Sequence, residues 1–104
     1  MAGFTVVVTD PAAKDLQGIA DYIAKDLREP ATARKQLSRI REAVLGLADF
    51  PTRHALVADD VLAALGYRML VVDNYLVFYI TASAEDTVTI VRVLYGRRDW
   101  MSIL

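Results

Sequence analysis

The stretch Thr87–Asp99, TVTIVRVLYGRRD, decides the fold. Its first part is rich in β-branched residues and is typical of a buried strand. This strand leads directly into Tyr95, Arg97 and Arg98, so an apolar element delivers a phenol and two guanidinium groups to one end of a sheet. Because arginine is costly to bury and suits phosphates and carboxylates, this end is the first candidate for a functional surface.

Two further strand-like runs precede this stretch, and short links join all three. The runs are Gly66–Val72 and Tyr75–Thr81, and Asp73-Asn74 between them is a two-residue link of turn-forming types. A slightly longer polar link, Ala82–Asp86, leads to the strand Thr87–Tyr95. Successive strands with such short links must be antiparallel, so the three runs predict a β-meander.

The first half of the chain has helical periodicity after a short strand, Phe4–Val8. A threonine cap and a proline begin a helix from about Pro11 to Leu27, and Asp15 would lie on its solvent-facing side. Pro30 begins a second helix, in which apolar residues recur at three- and four-residue steps to about Asp49. Because the break between the helices is short, we expect an antiparallel helical hairpin.

The order β, α, α, β, β, β predicts an α+β fold with two layers, in which the hairpin packs on one face of a single sheet. Residues 1–104 are expected to form one domain, since a chain of 104 residues can bury a single core. The segment Thr52–Ala64 has no clear periodicity and is interpreted as a loop with one helical turn around Asp59–Ala64.

Composition narrows the classes of function. The chain has no cysteine, and its histidine and carboxylates are not spaced as a ligand set, so neither a metal nor a cofactor is expected. We expect a cytoplasmic protein without a membrane partner, because no signal peptide and no apolar run of membrane length are visible. The net charge of −1 does not favour a general nucleic-acid binder, although residues 91–104 are locally basic, with three arginines and one acidic residue.

Arg68 and Arg92 interrupt otherwise apolar strands, and two interpretations are open for each. If the helices cover one face of the sheet, the arginines emerge on the other face, where they could hold an anionic ligand. Alternatively, each pairs with a nearby acid at the sheet rim, such as Asp73 or Asp99, and this second interpretation is favoured for Arg92.

A catalytic cluster is the sharper hypothesis for Tyr95, Arg97 and Arg98. Cleavage of a phosphodiester by the ribose 2′-hydroxyl needs a proton acceptor, a proton donor and cations for the transition state. Tyrosine and arginine serve these roles only when their surroundings lower their pKa values. His54, the only histidine, could assist if its loop folds over the sheet.

Several segments together resemble the RelE/ParE family of bacterial toxins over essentially the whole chain. They are AAKDLQGIADYIAKD, the P-x-x-A opening at Pro30 and Ala33, LADFP, GYR, NYLVFY and IVRVLYGRRDW. The resemblance implies a small α+β toxin of a type II toxin–antitoxin system that arrests growth. It also implies a cognate antitoxin whose extended or helical segment wraps the toxin, and contact with DNA only through that antitoxin.

The family divides by mechanism, and the resemblance leaves both branches open. ParE-like members poison DNA gyrase without a known hydrolytic site, whereas RelE-like members are endoribonucleases that cut mRNA on the ribosome. In a RelE-like mechanism, Arg68 matches the family's strand arginine, Tyr95, Arg97 and Arg98 match its C-terminal segment, and His54 would assist. The IADYIA and VRVLYGRRD segments and the missing lysine-rich loop favour gyrase inhibition.

Overall fold

A helical hairpin rests on one face of a four-stranded sheet in the computed structural model, which describes residues 3–96 and 103–104. The predicted α+β architecture and the antiparallel meander are confirmed. In chain order, the elements are β1 (Thr5–Val8), α1 (Asp10–Asp21), a π-helical turn (Tyr22–Asp26), α2 (Pro30–Gly46), a 3₁₀ turn (Pro51–Arg53), α3 (Asp60–Ala64), β2 (Arg68–Val72), β3 (Tyr75–Ala82), a second 3₁₀ turn (Ser83–Glu85) and β4 (Thr87–Tyr95).

The strand order is β1-β4-β3-β2, so the last strand lies inside the sheet. β1 pairs with β4 in parallel, from Thr5 opposite Thr87 to Val8 opposite Ile90, and the other two pairings are antiparallel. β1 therefore covers only the first part of β4. Beyond that point the pairing of β4 with β3 is irregular. Ile90 pairs with Tyr79 and Arg92 with Phe78, so Val91 between them is left out of the register.

Three boundaries differ by two or more residues from the sequence expectations. The first helix was expected to continue to Leu27, but α-helical bonding ends at Asp21 and a wider π turn follows, closed by the Leu27 N–H donating to the Tyr22 carbonyl at 3.1 Å. α2 ends at Gly46 rather than Asp49, because the next three N–H groups bond to carbonyls three residues back. The first meander strand begins at Arg68 rather than Gly66.

Both faces of the sheet carry apolar clusters. The main core lies between the hairpin and the sheet, where Ala12, Ile40 and Leu47 of the helical region are fully buried against strand residues such as Val77. On the opposite face, the buried Phe78 belongs to a second cluster, to which α3 and the last two residues of the chain contribute. The second face is therefore partly covered, which leaves less open surface for strand arginines than the sequence suggested.

The helical pattern had indicated that Asp15 lies on the solvent-facing side of α1. In the structure it lies on the inner side. Its carboxylate accepts hydrogen bonds from Nε and Nη2 of Arg92 at 2.7 and 2.8 Å, and from the main-chain N–H of Val93 at 3.0 Å. The side chains of Asp15 and Arg92 are 12% and 25% exposed. Arg92 therefore does pair with an acid, and this acid is Asp15 of α1 rather than Asp73, whereas Asp99 lies outside the described residues.

We predict that Asp15→Ala lowers the free energy of unfolding by about 3 kcal/mol, because it leaves a part-buried guanidinium and a main-chain N–H without an acceptor. Asp15→Asn retains one acceptor and should lose less. Arg39→Ala is the control, because Arg39 pairs with Asp73 at 2.7 Å while its side chain is 65% exposed, so its loss should be much smaller. Urea unfolding at neutral pH measures all three, and equal losses for Asp15→Ala and Arg39→Ala would contradict the prediction.

Candidate functional site

Arg68 is held by the carbonyl groups of a loop. Its Nη1 donates to the carbonyl of His54 at 2.6 Å and more weakly to that of Thr52 at 3.4 Å. It shares the helix-facing side of the sheet with Leu70 and Val72, which contribute to the main core. The arginine therefore does not emerge on the opposite face, and it forms no ion pair with an acid among residues 3–96.

His54 lies beside Arg68 and against the ring of Tyr79. The rings of His54 and Tyr79 meet edge to face with centroids 6.4 Å apart, and Arg53 Nε donates to His54 Nε2 at 3.4 Å. Burial, and secondarily the charge of Arg53, lower the pKa of His54 below its ordinary value. The hydroxyl of the buried Tyr79 donates to the Pro51 carbonyl, and burial raises the pKa of this phenol. At neutral pH these shifts favour the neutral imidazole and the protonated phenol.

The lowered pKa of His54 predicts a pH-dependent stability. The folded state holds this proton less tightly than the unfolded chain, so the free energy of unfolding should fall as pH drops through the ordinary histidine pKa of about 6.5. His54→Gln should remove this part of the pH dependence. Urea unfolding of both proteins between about pH 5 and pH 8 measures the difference. Parallel curves for the two proteins would show that His54 makes no contribution.

Tyr95 lies at the other end of the sheet from Arg68 and His54. On β3, Tyr95 is opposite Tyr75, whereas Arg68 is opposite Tyr79. Tyr75 and Tyr79 are four positions apart along β3, which corresponds to about 13 Å. The structure therefore places Arg68 with His54 but does not bring Tyr95 to them.

The remaining two residues of the predicted cluster, Arg97 and Arg98, lie outside the residues that the structure describes. The catalytic assignment of all five residues, Arg68, Tyr95, Arg97, Arg98 and His54, stays a prediction.

A groove of about 780 Å³ opens beside Tyr95, between the first helical region and the ends of β3 and β4. We call it the tyrosine groove, and its wall includes Gly18, Ile19, Tyr22, Tyr75, Val93 and Tyr95. The rings of Tyr75 and Tyr95 meet edge to face at 5.8 Å. Burial raises the pKa of Tyr75, with smaller contributions from Tyr95 and Tyr22, so this phenol stays protonated at neutral pH. The groove is thus equipped for apolar contact and hydrogen bonding.

Sequence reasoning singled out Tyr95 but did not place Tyr22 and Tyr75 beside it. Tyr22 follows α1 directly, where the unexpected π turn changes the direction of each side chain. Tyr75 meets Tyr95 only because the β3–β4 register, with its irregularity at Phe78 and Tyr79, puts them opposite each other. Neither feature leaves a distinct mark in the sequence.

The part of the chain that the structure describes contains no cluster of three or more potential metal-binding side chains. Within the same residues, no helix has the length and apolar character needed to cross a membrane.

Comparison with known proteins identifies the family. Residues 6–100 match the family model for the ParE toxin of the type II toxin–antitoxin system parDE. The chain belongs to this ParE toxin family. It is therefore a toxin of a type II toxin–antitoxin system, and the RelE/ParE resemblance seen in the sequence is confirmed. A search of curated protein sequences finds no match.

Solved structures show the same fold as this ParE-family chain. A chain of the chromosomal ParDE system from P. aeruginosa superimposes with a TM-score of 0.73 at 23% identity, covering 88% of this chain and 95% of that one. A chain of the RelBE2 toxin–antitoxin complex from Mycobacterium tuberculosis gives a TM-score of 0.66 at 23% identity, covering 91% and 93%. At these identities the similarity establishes the architecture alone.

Proposed function

We propose that this ParE-family toxin arrests growth by binding and inhibiting DNA gyrase, and that a cognate antitoxin neutralises it in the cytoplasm. The observation that carries the proposal is the match of residues 6–100 to the ParE toxin model, which spans nearly the whole chain. Both similar structures named above come from toxin–antitoxin systems, which supports the antitoxin as partner.

The geometry of the described residues supports inhibition by binding more than cleavage of RNA. An endoribonuclease needs a proton acceptor, a proton donor and free cations around one phosphate. Here Arg68 donates to loop carbonyls, Arg92 is neutralised by Asp15, and Tyr95 is about 13 Å along the sheet from Arg68. This separation of Arg68 from Tyr95 supports inhibition by binding.

The basic C-terminal segment is the proposed contact surface for gyrase. Arg97 and Arg98 follow β4 directly in the sequence, and both have the planar guanidinium that suits carboxylates on a protein partner. Their assignment rests on the sequence, since they lie beyond the described residues.

The first test measures supercoiling and gyrase-dependent DNA cleavage with purified toxin. We expect inhibition by the native chain and about tenfold weaker inhibition by the double variant Arg97→Ala/Arg98→Ala, because charged contacts to the enzyme are lost. The matched control is Arg34→Ala/Lys35→Ala, which also removes two positive charges, from exposed positions on α2. This control should inhibit as the native chain does.

Induction of the toxin in growing cells provides the second arm of the test. Mapping of DNA breaks and of mRNA cuts in the same culture separates the two mechanisms of the family. DNA breaks with intact transcripts support gyrase inhibition. Unchanged supercoiling together with cuts in translated mRNA would overturn the proposal and favour the ribosome-dependent endoribonuclease.

A further inference from the structure

One edge of the Arg68 guanidinium takes no part in holding the loop. Both hydrogen bonds to the carbonyls of His54 and Thr52 come from the Nη1 atom. Within residues 3–96 and 103–104, the Nε and Nη2 atoms of Arg68 donate to no acceptor. These two atoms share one edge of the planar group, where they present two parallel N–H donors.

The same edge of other arginines in this protein binds carboxylates. Arg39 donates through Nε and Nη2 to the two oxygens of Asp73, at 2.7 and 2.9 Å. Arg92 donates through the same two atoms to the two oxygens of Asp15, at 2.7 and 2.8 Å. Among residues 3–96, no ion pair joins Arg68 to an acid. Arg68 therefore offers a carboxylate the donor arrangement that Arg39 and Arg92 already use.

A second positive charge lies at the same place. Arg53 is exposed and its Nε donates to the ring of His54 at 3.4 Å, whereas Arg68 donates to the main chain of the same residue. Burial raises the pKa of Tyr79, and the charges of Arg68 and Arg53 both oppose that shift. Both charges thus act on one phenol. We call Arg53, His54 and Arg68 the guanidinium cluster.

No acid of the described residues forms an ion pair with the guanidinium cluster. Asp49, four positions before Arg53, is exposed and forms no ion pair within residues 3–96. The lowered pKa of His54 favours the neutral ring at neutral pH, so the charge of the cluster comes from its two arginines. Arg68 and His54 are half-buried, and an anion bound there would be screened by water less than one at a fully exposed pair.

We propose that the guanidinium cluster binds a carboxylate, supplied by an acidic side chain on the surface of gyrase. This inference rests on the proposed function and adds a second contact to the one at Arg97 and Arg98. A protein carboxylate is favoured over a nucleic-acid phosphate, because the chain has a net charge of −1 and the long-range attraction to a polyanion is therefore weak.

Acetate is the probe for the site, and His54 reports its binding. As the only histidine of the chain, His54 gives a single imidazole signal in NMR spectra. Titration of the full-length toxin with sodium acetate should shift this signal with saturation, whereas sodium chloride at equal ionic strength should not. Bound acetate should also raise the pKa of His54, because a nearby negative charge favours the protonated ring.

Two substitutions test the two arginines separately. Arg53→Gln removes one charge from an exposed side chain and should weaken acetate binding about tenfold. Arg68→Lys keeps the charge and a donor for the loop carbonyls but loses the paired N–H edge, so it should weaken binding by about the same factor. Arg34→Gln is the control and should bind acetate normally. Arg34 is exposed near the start of α2, whereas Arg53 approaches Gly46 at the other end of that helix.

Supercoiling assays then test the partner. Arg53→Gln and Arg68→Lys should each inhibit gyrase about tenfold more weakly than the native chain, and Arg34→Gln should inhibit as the native chain does. Thermal unfolding distinguishes a lost contact from a lost fold. Arg53→Gln should melt as the native toxin does, because this exposed side chain makes one long hydrogen bond within the described residues.

Three results would overturn the inference. The first is a His54 signal that responds equally to acetate and to chloride. The second is tighter binding of dimethyl phosphate, which has the same charge as acetate, because this would assign the site to a nucleic-acid backbone. The third is gyrase inhibition by Arg53→Gln that equals that of the native chain. If the native chain leaves gyrase unaffected, the target is refuted, and the acetate titration still decides whether the cluster binds carboxylates.

Discussion

The carboxylate of Asp15 is the constraint on which the arrangement of layers depends. It binds a guanidinium and a main-chain N–H of the same strand, so it fixes α1 to β4 in position and in orientation. Hydrophobic contacts have no direction, so hydrogen bonds such as these, together with those of Thr9 to the Ile90 and Val91 carbonyls, fix the position of α1 along the sheet. The three hydrogen bonds of Asp15 supply direction at Arg92 and Val93, just beyond Ile90, where the pairing of β1 with β4 ends.

Much of the fold could be predicted because local patterns and global fold agree. The apolar steps of α2, the short link at Asp73-Asn74 and the β-branched run of β4 each specify one element and, together, the antiparallel meander. The parallel pairing of β1 with β4 is different, since it joins residues about 80 positions apart and no local pattern records it. The inward position of Asp15 likewise depends on distant partners, Arg92 and Val93 of β4.

The candidate site was harder to predict than the fold because the register between strands decides which of its residues lie together. Arg68 and Tyr95 are both polar residues of apolar strands, and sequence spacing alone gave no reason to separate them. Pairing with β3 separates them, since one lies opposite Tyr79 and the other opposite Tyr75. Two distinct polar regions follow, a loop-bound arginine with His54 at one end and a groove lined by tyrosines at the other.

The pairing of β1 with β4 also determines the order in which the protein can be completed. β1 is an edge strand with β4 as its only neighbour in the described sheet, so it has nothing to pair with until the last strand has been synthesised. Contacts between such distant segments require a large loop closure and form late in folding. A nascent chain therefore carries the helical hairpin before the sheet is complete, and the finished surface of the toxin arises only after β4 has been synthesised.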